Sequence, residues 1–249
     1  MSDNNLQNMH YKKMYYFYSK GPSRKIPLLI LHGWMQNKES WEGVIGLLSK
    51  DMDILCPDLP GFGDSKDDSF YNFMTSDYSE YLFSFINDLK IKKVNILAHS
   101  FGGRIAIDFT SKHQEVVSNL ILFSSAGIIH KTPYRKIQFL KKIPGSAYIA
   151  GKLRSNDYKN AKEYKNLFLN AISYNAKEKL NKIETPTLIL WGDKDKELDL
   201  KDAYIFKNGI EKSVLEVMKN NGHFAHLENP YLFTGIIKKY LNLKENKNV

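Results

Sequence analysis

With 249 residues, of which 43% are hydrophobic and 25% charged, the chain has the composition of a globular protein with one well-buried core or two modest domains. It has no apolar run of about eighteen residues, and its polar segment Met1–Met9 lacks an apolar signal core, so we expect neither a membrane span nor a secretory signal. The formal charge is +9, and the single cysteine, Cys56, excludes an internal disulfide, which favours a cytoplasmic protein.

The positive charge is concentrated in one part of the sequence. Between Ile128 and Glu184 the chain has thirteen lysines and arginines but four acidic residues, so the rest of the chain is nearly neutral. No nucleic-acid recognition motif accompanies this charge, and we therefore expect no nucleic-acid partner. The basic segment instead suits an anionic small substrate or an acidic carrier protein, with a solvated lysine-rich surface as the alternative.

Short apolar runs alternate with helix-length segments along most of the chain. In chain order, the sequence predicts strand Met14–Tyr18, strand Leu28–Leu31, helix Trp41–Leu48, strand Ile54–Cys56, helix Ser79–Leu89, strand Val94–Ala98, helix Gly103–Thr110, strand Leu120–Phe123, strand Leu188–Trp191, helix Leu200–Lys207, strand Val214–Met218 and helix Tyr231–Leu241. Most of these strands are continuously apolar, as is typical of strands buried on both faces of a parallel sheet. The alternation predicts an α/β fold with a mostly parallel central sheet and helices on both faces.

One segment interrupts this alternation. From Ile128 to Ile183 the sequence has no strand pattern, whereas basic amphipathic pieces such as Tyr158–Asn170 are typical of helices. The strand pattern resumes at Thr187, directly after Pro186. We therefore predict a core formed by residues 1–127 and 185–249, with residues 128–184 inserted as a small helical cap.

The strongest chemical signal is the sequence around Ser100. A predicted strand runs from Val94 into this serine, a predicted helix follows at once, and the small residues Ala98 and Gly102 lie two positions away on either side. This is the G-x-S-x-G pattern of a nucleophile elbow, with alanine in its first position. Such a turn lifts the hydroxyl above the sheet and points the N-terminus of the helix at the same position. Ser100 is therefore a candidate nucleophile.

Further motifs follow in the chain order of one known family. They are His32-Gly33-Trp34, Pro57-Asp58-Leu59-Pro60-Gly61-Phe62-Gly63-Asp64-Ser65, Trp191-Gly192-Asp193-Lys194-Asp195, and Asn221-Gly222-His223-Phe224. Together with the elbow they resemble the α/β-hydrolase fold family over about Tyr11–Leu241. The resemblance implies a serine hydrolase with a helical cap, similar to carboxylesterases, to pimeloyl-acyl-carrier-protein methyl ester esterase and to meta-cleavage product hydrolases.

The resemblance implies a catalytic triad of Ser100, His223 and Asp195, and the chemistry of these residue types agrees. A serine hydroxyl is a weak nucleophile unless a nearby base takes its proton. An imidazole can accept and return that proton near neutral pH. A carboxylate holds the imidazole in the required tautomer and stabilises its protonated form.

Two members of this triad have a competing neighbour. Asp193 is the alternative acid, although the family pattern W-G-x-x-D selects Asp195. His226 is the alternative base, although the family's Gly-His pair selects His223. A metal site formed by the two histidines and Glu228 is disfavoured because no partner cluster accompanies that spacing, and we expect neither a metal nor a cofactor.

The resemblance also implies the positions of the oxyanion hole and the acyl pocket. The main-chain N–H groups of Trp34 and Phe101 would donate hydrogen bonds to the oxyanion of a tetrahedral intermediate. Met35 and His99 are candidate residues of the substrate pocket. For the aromatic rings of Trp34 and Phe101, packing in the core is the alternative to lining the pocket.

A serine at the elbow restricts the reaction. The leading interpretation is a carboxylic ester hydrolase, an esterase that cleaves a carboxylic ester or thioester of a small-molecule acyl substrate through an acyl-enzyme. The acyl group would be anionic or bound to a carrier protein if the basic cap takes part in binding. The alternatives are a hydrolase or lyase that breaks a C–C bond next to a carbonyl, and a non-catalytic binding module on the same fold. The oligomeric state does not follow from the sequence.

Overall fold

A computed structural model describes residues 6–22, 25–129 and 158–243, and the side chains of residues 158–163 are outside the description. Residues 130–157, which form much of the predicted cap, therefore lie outside the described residues. The division into a core and a cap stays a prediction. None of the helices in the described part is both long enough and apolar enough to cross a membrane.

The centre of the protein is an eight-stranded sheet. Its strands are β1 Leu6–Tyr11, β2 Met14–Ser19, β3 Leu28–Leu31, β4 Ile54–Pro57, β5 Val94–His99, β6 Val117–Phe123, β7 Thr187–Gly192 and β8 Ser213–Met218. Their order across the sheet is β1-β2-β4-β3-β5-β6-β7-β8. The pairs from β4 to β8 are parallel, whereas β2 is antiparallel to both of its neighbours. The predicted mostly parallel sheet is confirmed, and β1 is a strand that the sequence did not predict.

Helices connect the parallel strands and cover both faces of the sheet. Those of the described residues are α1 Glu42–Leu48, α2 Thr75–Asp88, α3 Phe101–Lys112, α4 Tyr158–Ser173, α5 Leu200–Gly209, α6 Ala225–Glu228 and α7 Pro230–Tyr240. One apolar cluster joins the sheet to α2, α3 and α5, and a second joins it to α1 and α7. The sheet is therefore buried on both faces, which explains its continuously apolar strands.

The described end of the predicted cap packs on the core. Leu167 and Ala171 of α4 are buried in the cluster that contains α2 and α3, and so are Leu180 and Ile183 of the segment that leads to β7. The N–H group of Ala176 donates to the main-chain oxygen of Gly127 at 2.9 Å, across the two ends of the insertion. These contacts fix α4 above the carboxyl ends of the strands.

Candidate active site

Ser100 lies in a strained turn between β5 and α3. Its backbone has φ 50° and ψ −110°, a conformation that residues with a side chain rarely adopt. Hydrogen bonds hold the turn on both sides, because the Ser100 N–H donates to the oxygen of Phe123 at 3.2 Å and the Ser100 oxygen accepts from the N–H of Ala126 at 2.9 Å. The strain therefore persists because β6 and the loop after it fix the backbone.

The small residues of the motif allow the chain to pack closely around this turn. A Cβ atom added to Gly102 would lie 2.5 Å from the main-chain oxygen of Leu31, which belongs to β3. A Cβ atom on Gly103 would collide with the side chain of Ser125. Two glycines at the start of α3 thus bring the N-terminus of the helix against the carboxyl ends of β3 and β6.

His223 and Asp195 lie together on the loops after β8 and β7. The imidazole Nδ1 of His223 donates to the carboxylate Oδ2 of Asp195 at 2.8 Å, and their side chains are 8% and 1% exposed. The other carboxylate oxygen of Asp195 accepts from the N–H groups of Glu197 and Leu198, both at 2.9 Å. The carboxylate is thereby held in one orientation, and it fixes a proton on His223 Nδ1.

The two competing residues point elsewhere. Asp193 accepts a hydrogen bond from the N–H of Asn220 at 2.7 Å, so it joins the loop after β7 to the loop after β8 on the exposed surface. His226 is 1% exposed and stacks on Trp41 with a centroid distance of 4.3 Å. Burial, with a smaller contribution from His223, lowers the pKa of His226 to about 3.

His99 lies beneath the candidate triad and holds the main chain of His223. Its Nε2 donates to the main-chain oxygen of His223 at 2.9 Å, and its Nδ1 is 2.9 Å from Oε1 of Gln36. The same Gln36 oxygen accepts from the N–H of Gly33 at 2.8 Å. Burial, assisted by the neighbouring histidines, lowers the pKa of His99 well below its ordinary value. His99 thus lies between the His223 loop, to which it donates a hydrogen bond, and the loop after β3, which its other ring nitrogen contacts.

One cavity of about 200 Å³ joins the candidate residues. Its wall includes Ser100, His223, His99, Trp34, Phe101 and Met35, together with Phe168 of α4 and Phe224. Trp34 packs edge-on against both Phe101 and Phe168, at centroid distances of 5.4 and 5.2 Å. The predicted pocket residues therefore face the same space as the predicted nucleophile, and the aromatic rings both line the cavity and pack on one another.

The predicted oxyanion donors are available among the described residues. Neither the N–H of Trp34 nor that of Phe101 donates a hydrogen bond to another described residue. By contrast, the N–H of Gly103, two residues after Phe101 on α3, donates to the main-chain oxygen of Ser100 at 3.0 Å. Phe101 is the first residue of α3, where an N–H group has no partner within the helix. Both residues also line the cavity, so two main-chain donors belong to the loops that surround it.

Arg104 is a cavity residue that the motifs did not predict. It lies one helical turn after Ser100 on α3 and contributes to the cavity wall, as do Glu197 and Leu198 from the loop after β7. Its Nε is buried and has no hydrogen-bond partner in the described part of the chain. The sequence around Arg104 has no motif that distinguishes it from an arginine on the solvent-facing side of a helix.

The metal set considered from the sequence does not assemble. Within the described ranges, the side chains whose oxygen atoms approach closely enough for a shared cation are Glu39, Asp58 and Asp64. The ammonium group of Lys38 already lies 2.7, 2.9 and 2.6 Å from these three carboxylates. His223, His226 and Glu228 are not such a group, and Glu228 accepts the N–H of Gly222 at 2.7 Å.

Comparison with known proteins agrees with this fold. A sequence model described as alpha/beta hydrolase fold matches residues 26–148. Monoacylglycerol lipase ABHD6 of Rattus norvegicus is 26% identical over 275 residues, which cover 95% of this chain and 82% of the relative. The human protein of the same name is 25% identical and covers 98% of this chain and 85% of the relative.

A solved structure also agrees with this fold. MGS-MChE2, described as an alpha/beta hydrolase enzyme from the metagenome of sediments from the lagoon of Mar Chica, Morocco, is 26% identical, with a TM-score of 0.75 and coverage of 95% of this chain and 98% of that chain. Sheet topology, family model and relatives together define the class: the chain has the α/β-hydrolase fold.

Proposed function

We propose that the chain is a serine esterase that cleaves a carboxylic ester of a small acyl substrate through an acyl-enzyme. The broader class, a carboxylic ester hydrolase, rests on the family and on relatives that are named as lipases. The observation that carries the finer proposal is the arrangement of three side chains. Ser100 and His223 line one cavity, and Asp195 binds the far nitrogen of His223 at 2.8 Å.

In the proposed reaction, Ser100 Oγ attacks the carbonyl carbon of the ester while its proton moves to Nε2 of His223. Collapse of the tetrahedral intermediate breaks the bond to the leaving alkoxide, which takes the proton from His223. Water then attacks the acyl-enzyme, His223 accepts a proton from this water and returns it to Ser100, and the carboxylic acid leaves. Asp195 stays ionised and stabilises the imidazolium in both halves of the reaction.

The oxyanion of each intermediate is proposed to accept hydrogen bonds from the N–H groups of Trp34 and Phe101. Donors that are fixed before the reaction stabilise charge as it develops, because no solvent must reorganise around them. The N-terminus of α3 adds its partial positive charge at the same position. His99 supports this arrangement because its Nε2 holds the main chain of His223 and its ring packs against Gln36 in the loop that carries Trp34.

The cavity favours a small acyl group. Its volume of about 200 Å³ over the described residues is below the roughly 300–1,000 Å³ that is usual for ligand pockets. Apolar side chains from Trp34, Met35 and Phe168 cover much of the wall, which suits the methylene groups of a short chain. We therefore expect activity to decline as the acyl chain of an ester becomes long.

The test is hydrolysis of p-nitrophenyl esters of increasing acyl length by the wild-type chain and by Ser100→Ala. We expect the variant to lose about 10³-fold or more in kcat, because the nucleophile is absent. Ser111→Ala is the matched control, since Ser111 lies on the same helix but its hydroxyl donates to the main chain of Asp108. A fluorophosphonate should label Ser100 and leave Ser100→Ala unlabelled.

The outcomes separate the alternatives. Turnover by Ser100→Ala close to that of the wild-type chain would contradict the assignment of the nucleophile. Labelling of Ser100 without hydrolysis of any ester, combined with cleavage of a vinylogous diketone, would replace esterase activity by C–C bond hydrolysis. Failure of both labelling and hydrolysis would leave a binding module on the hydrolase fold.

A further inference from the structure

Arg104 is a cation in the cavity wall that has no acidic partner among the described residues. Among the described residues, its buried Nε has no hydrogen-bond partner, and no carboxylate lies within ion-pair distance of its guanidinium. Burial lowers the pKa of Arg104 to about 10, so the side chain is still charged at neutral pH. A buried charge without a partner is costly, and such groups are usually paired or hydrogen-bonded.

The acid that could neutralise Arg104 from its own helix is already bound. Asp108 lies four residues further along α3, where side chains of a helix are neighbours. Its carboxylate instead forms ion pairs with Lys112 at 2.9 Å and with Lys179 at 2.5 Å. Two lysines therefore occupy Asp108, and the positive charge of Arg104 stays uncompensated within the described residues.

The position of Arg104 directs this charge at the proposed substrate. Arg104 lies one turn after Ser100 and lines the same cavity. Its aliphatic stem passes beside Gly127, where an added Cβ atom would lie 3.5 Å from Arg104 Cγ and closer still, at 2.8 Å, to Ala176 Cβ. Packing thus restricts the stem of a residue that contributes to the cavity wall.

We propose that Arg104 binds a carboxylate on the substrate, so that the preferred ester carries a negative charge a few atoms from the bond that Ser100 attacks. This inference rests on the esterase proposed above and narrows its substrate to half-esters of short dicarboxylic acids. The planar guanidinium suits a carboxylate because it can donate two parallel hydrogen bonds.

A carboxylate fits the charges of the cavity better than a phosphate does. The acidic residue Glu197 also lines the cavity. Arg104 is the described lining residue that carries a permanent positive charge at neutral pH. A phosphate monoester with a charge near −2 would keep about one negative charge that the single guanidinium does not neutralise. One carboxylate would neutralise Arg104, and the remaining apolar wall would contact the methylene groups.

The experiment compares esters that differ in the charge of one terminal group. The probes are the mono-p-nitrophenyl esters of succinic, glutaric and adipic acid, each paired with the same compound in which the free carboxyl is a methyl ester. In the wild-type chain we expect kcat/KM to favour the anionic member of at least one pair. In Arg104→Met, the ratio of anionic to neutral kcat/KM for that pair should fall by roughly 10- to 100-fold, which is the usual effect of a lost charge-assisted hydrogen bond.

Two controls make this result specific. Lys165→Met removes one positive charge from the exposed surface of α4, and we expect it to leave the ratio unchanged. A binding measurement is independent of turnover: calorimetry should detect adipate or a shorter dicarboxylate with Ser100→Ala but not with the double variant Ser100→Ala, Arg104→Met. The thermal unfolding of each variant shows whether it is folded.

The outcomes distinguish this inference from the proposed function. Hydrolysis of both members of every pair, with the same ratio in the wild-type chain and in Arg104→Met, would overturn the role of Arg104 and leave the esterase intact. Ester hydrolysis that persists in Ser100→Ala would overturn the esterase itself. Dicarboxylate binding that is equal with and without Arg104 would also contradict the inference.

Discussion

Asp193 and Asp195 lie two residues apart in one turn, yet they contact different parts of the molecule. Asp195 binds the imidazole of His223, whereas Asp193 accepts from the main chain of Asn220. Asp195→Asn should lower kcat by roughly 10³- to 10⁴-fold, because an amide cannot stabilise the imidazolium and favours the wrong tautomer. The measurement is steady-state hydrolysis of a short p-nitrophenyl ester.

The neighbouring aspartate supplies the control for this prediction. Asp193→Asn keeps an oxygen acceptor for the N–H of Asn220, and we expect its kcat to stay close to that of the wild-type chain. Equal losses in the two variants would indicate that the turn, rather than the carboxylate on His223, determines activity.

At the scale of single residues, the sequence predicted those site residues whose motif restricts the backbone. The turn at Ser100 requires small neighbours, and the Gly102 contact with Leu31 explains why that requirement is visible in the sequence. Arg104 was not predicted because nothing local distinguishes it from a surface arginine. Arg104 has no carboxylate on its own helix to pair with because Lys112 and Lys179 both bind Asp108, and Lys179 is 71 residues away from that aspartate.

At the scale of elements, the predicted strands are those that are buried on both faces. β3 and β4 are buried at every position, and the continuous apolar run reports this environment directly. β1 has no comparable signal, because Leu6–Tyr11 is mostly exposed and pairs only with β2 at the edge of the sheet. Its strand conformation depends on that pairing, which no local pattern of hydrophobicity records.

The loop after β4 is held by a buried ion pair. Lys38 and Asp58 are both fully buried, their side chains are 2.9 Å apart, and Asp58 also accepts from the N–H groups of Lys38 and Asp64. Burial alone would lower the pKa of Lys38, but hydrogen bonds to Asp64, Glu39 and Asp58 outweigh it and raise the pKa. This network fixes the Pro57–Ser65 motif beneath the cavity.

Removal of one partner from this pair should destabilise the fold strongly. In Lys38→Met the carboxylate of Asp58 stays buried without its cation, and we expect the free energy of unfolding to fall by about 3–5 kcal/mol. Urea denaturation followed by circular dichroism measures this change.

The control for Lys38 is a lysine whose ion pair is exposed. Lys13 pairs with Asp67 at 2.7 Å, and the two side chains are 56% and 32% exposed. Lys13→Met should cost at most about 1 kcal/mol, because water screens a surface pair. A Lys38→Met chain as stable as Lys13→Met would show that the buried pair contributes nothing beyond its packing.

At the scale of the whole molecule, the composition and charge of the chain predicted less about its fold than the order of its strands, helices and motifs did. The charge of +9 belongs to the segment between Ile128 and Glu184, and residues 130–157 of that segment lie outside the described part. A basic cap that binds an acidic carrier protein and a cytoplasmic location therefore stay predictions. The fold itself follows from the alternation of elements over the whole chain, and in a parallel sheet the carboxyl ends of the strands bring loops 95 and 123 residues after Ser100 to one edge.

The acid sensitivity of the whole protein should depend on its buried histidines. His226 is buried, makes no hydrogen bond to a described residue and has its pKa lowered to about 3, whereas an unfolded histidine titrates near 6.5. Between these two pKa values the unfolded chain binds a proton that the folded chain excludes. The free energy of unfolding should therefore fall as the pH decreases below about 6.5, by about 1.4 kcal/mol per pH unit for this group, and the fall should end near pH 3.

His226→Phe tests this linkage because phenylalanine keeps the stacking on Trp41 and cannot bind a proton. Between pH 7.5 and pH 5.0, the wild-type chain should lose about 2 kcal/mol more unfolding free energy than the variant does, measured by urea denaturation at both values. His10→Phe makes the same substitution at an exposed histidine of β1 and should retain the wild-type loss. If His226→Phe loses as much stability as the wild-type chain, the folded protein must protonate His226 as readily as the unfolded chain, and its burial would then not cause the acid sensitivity.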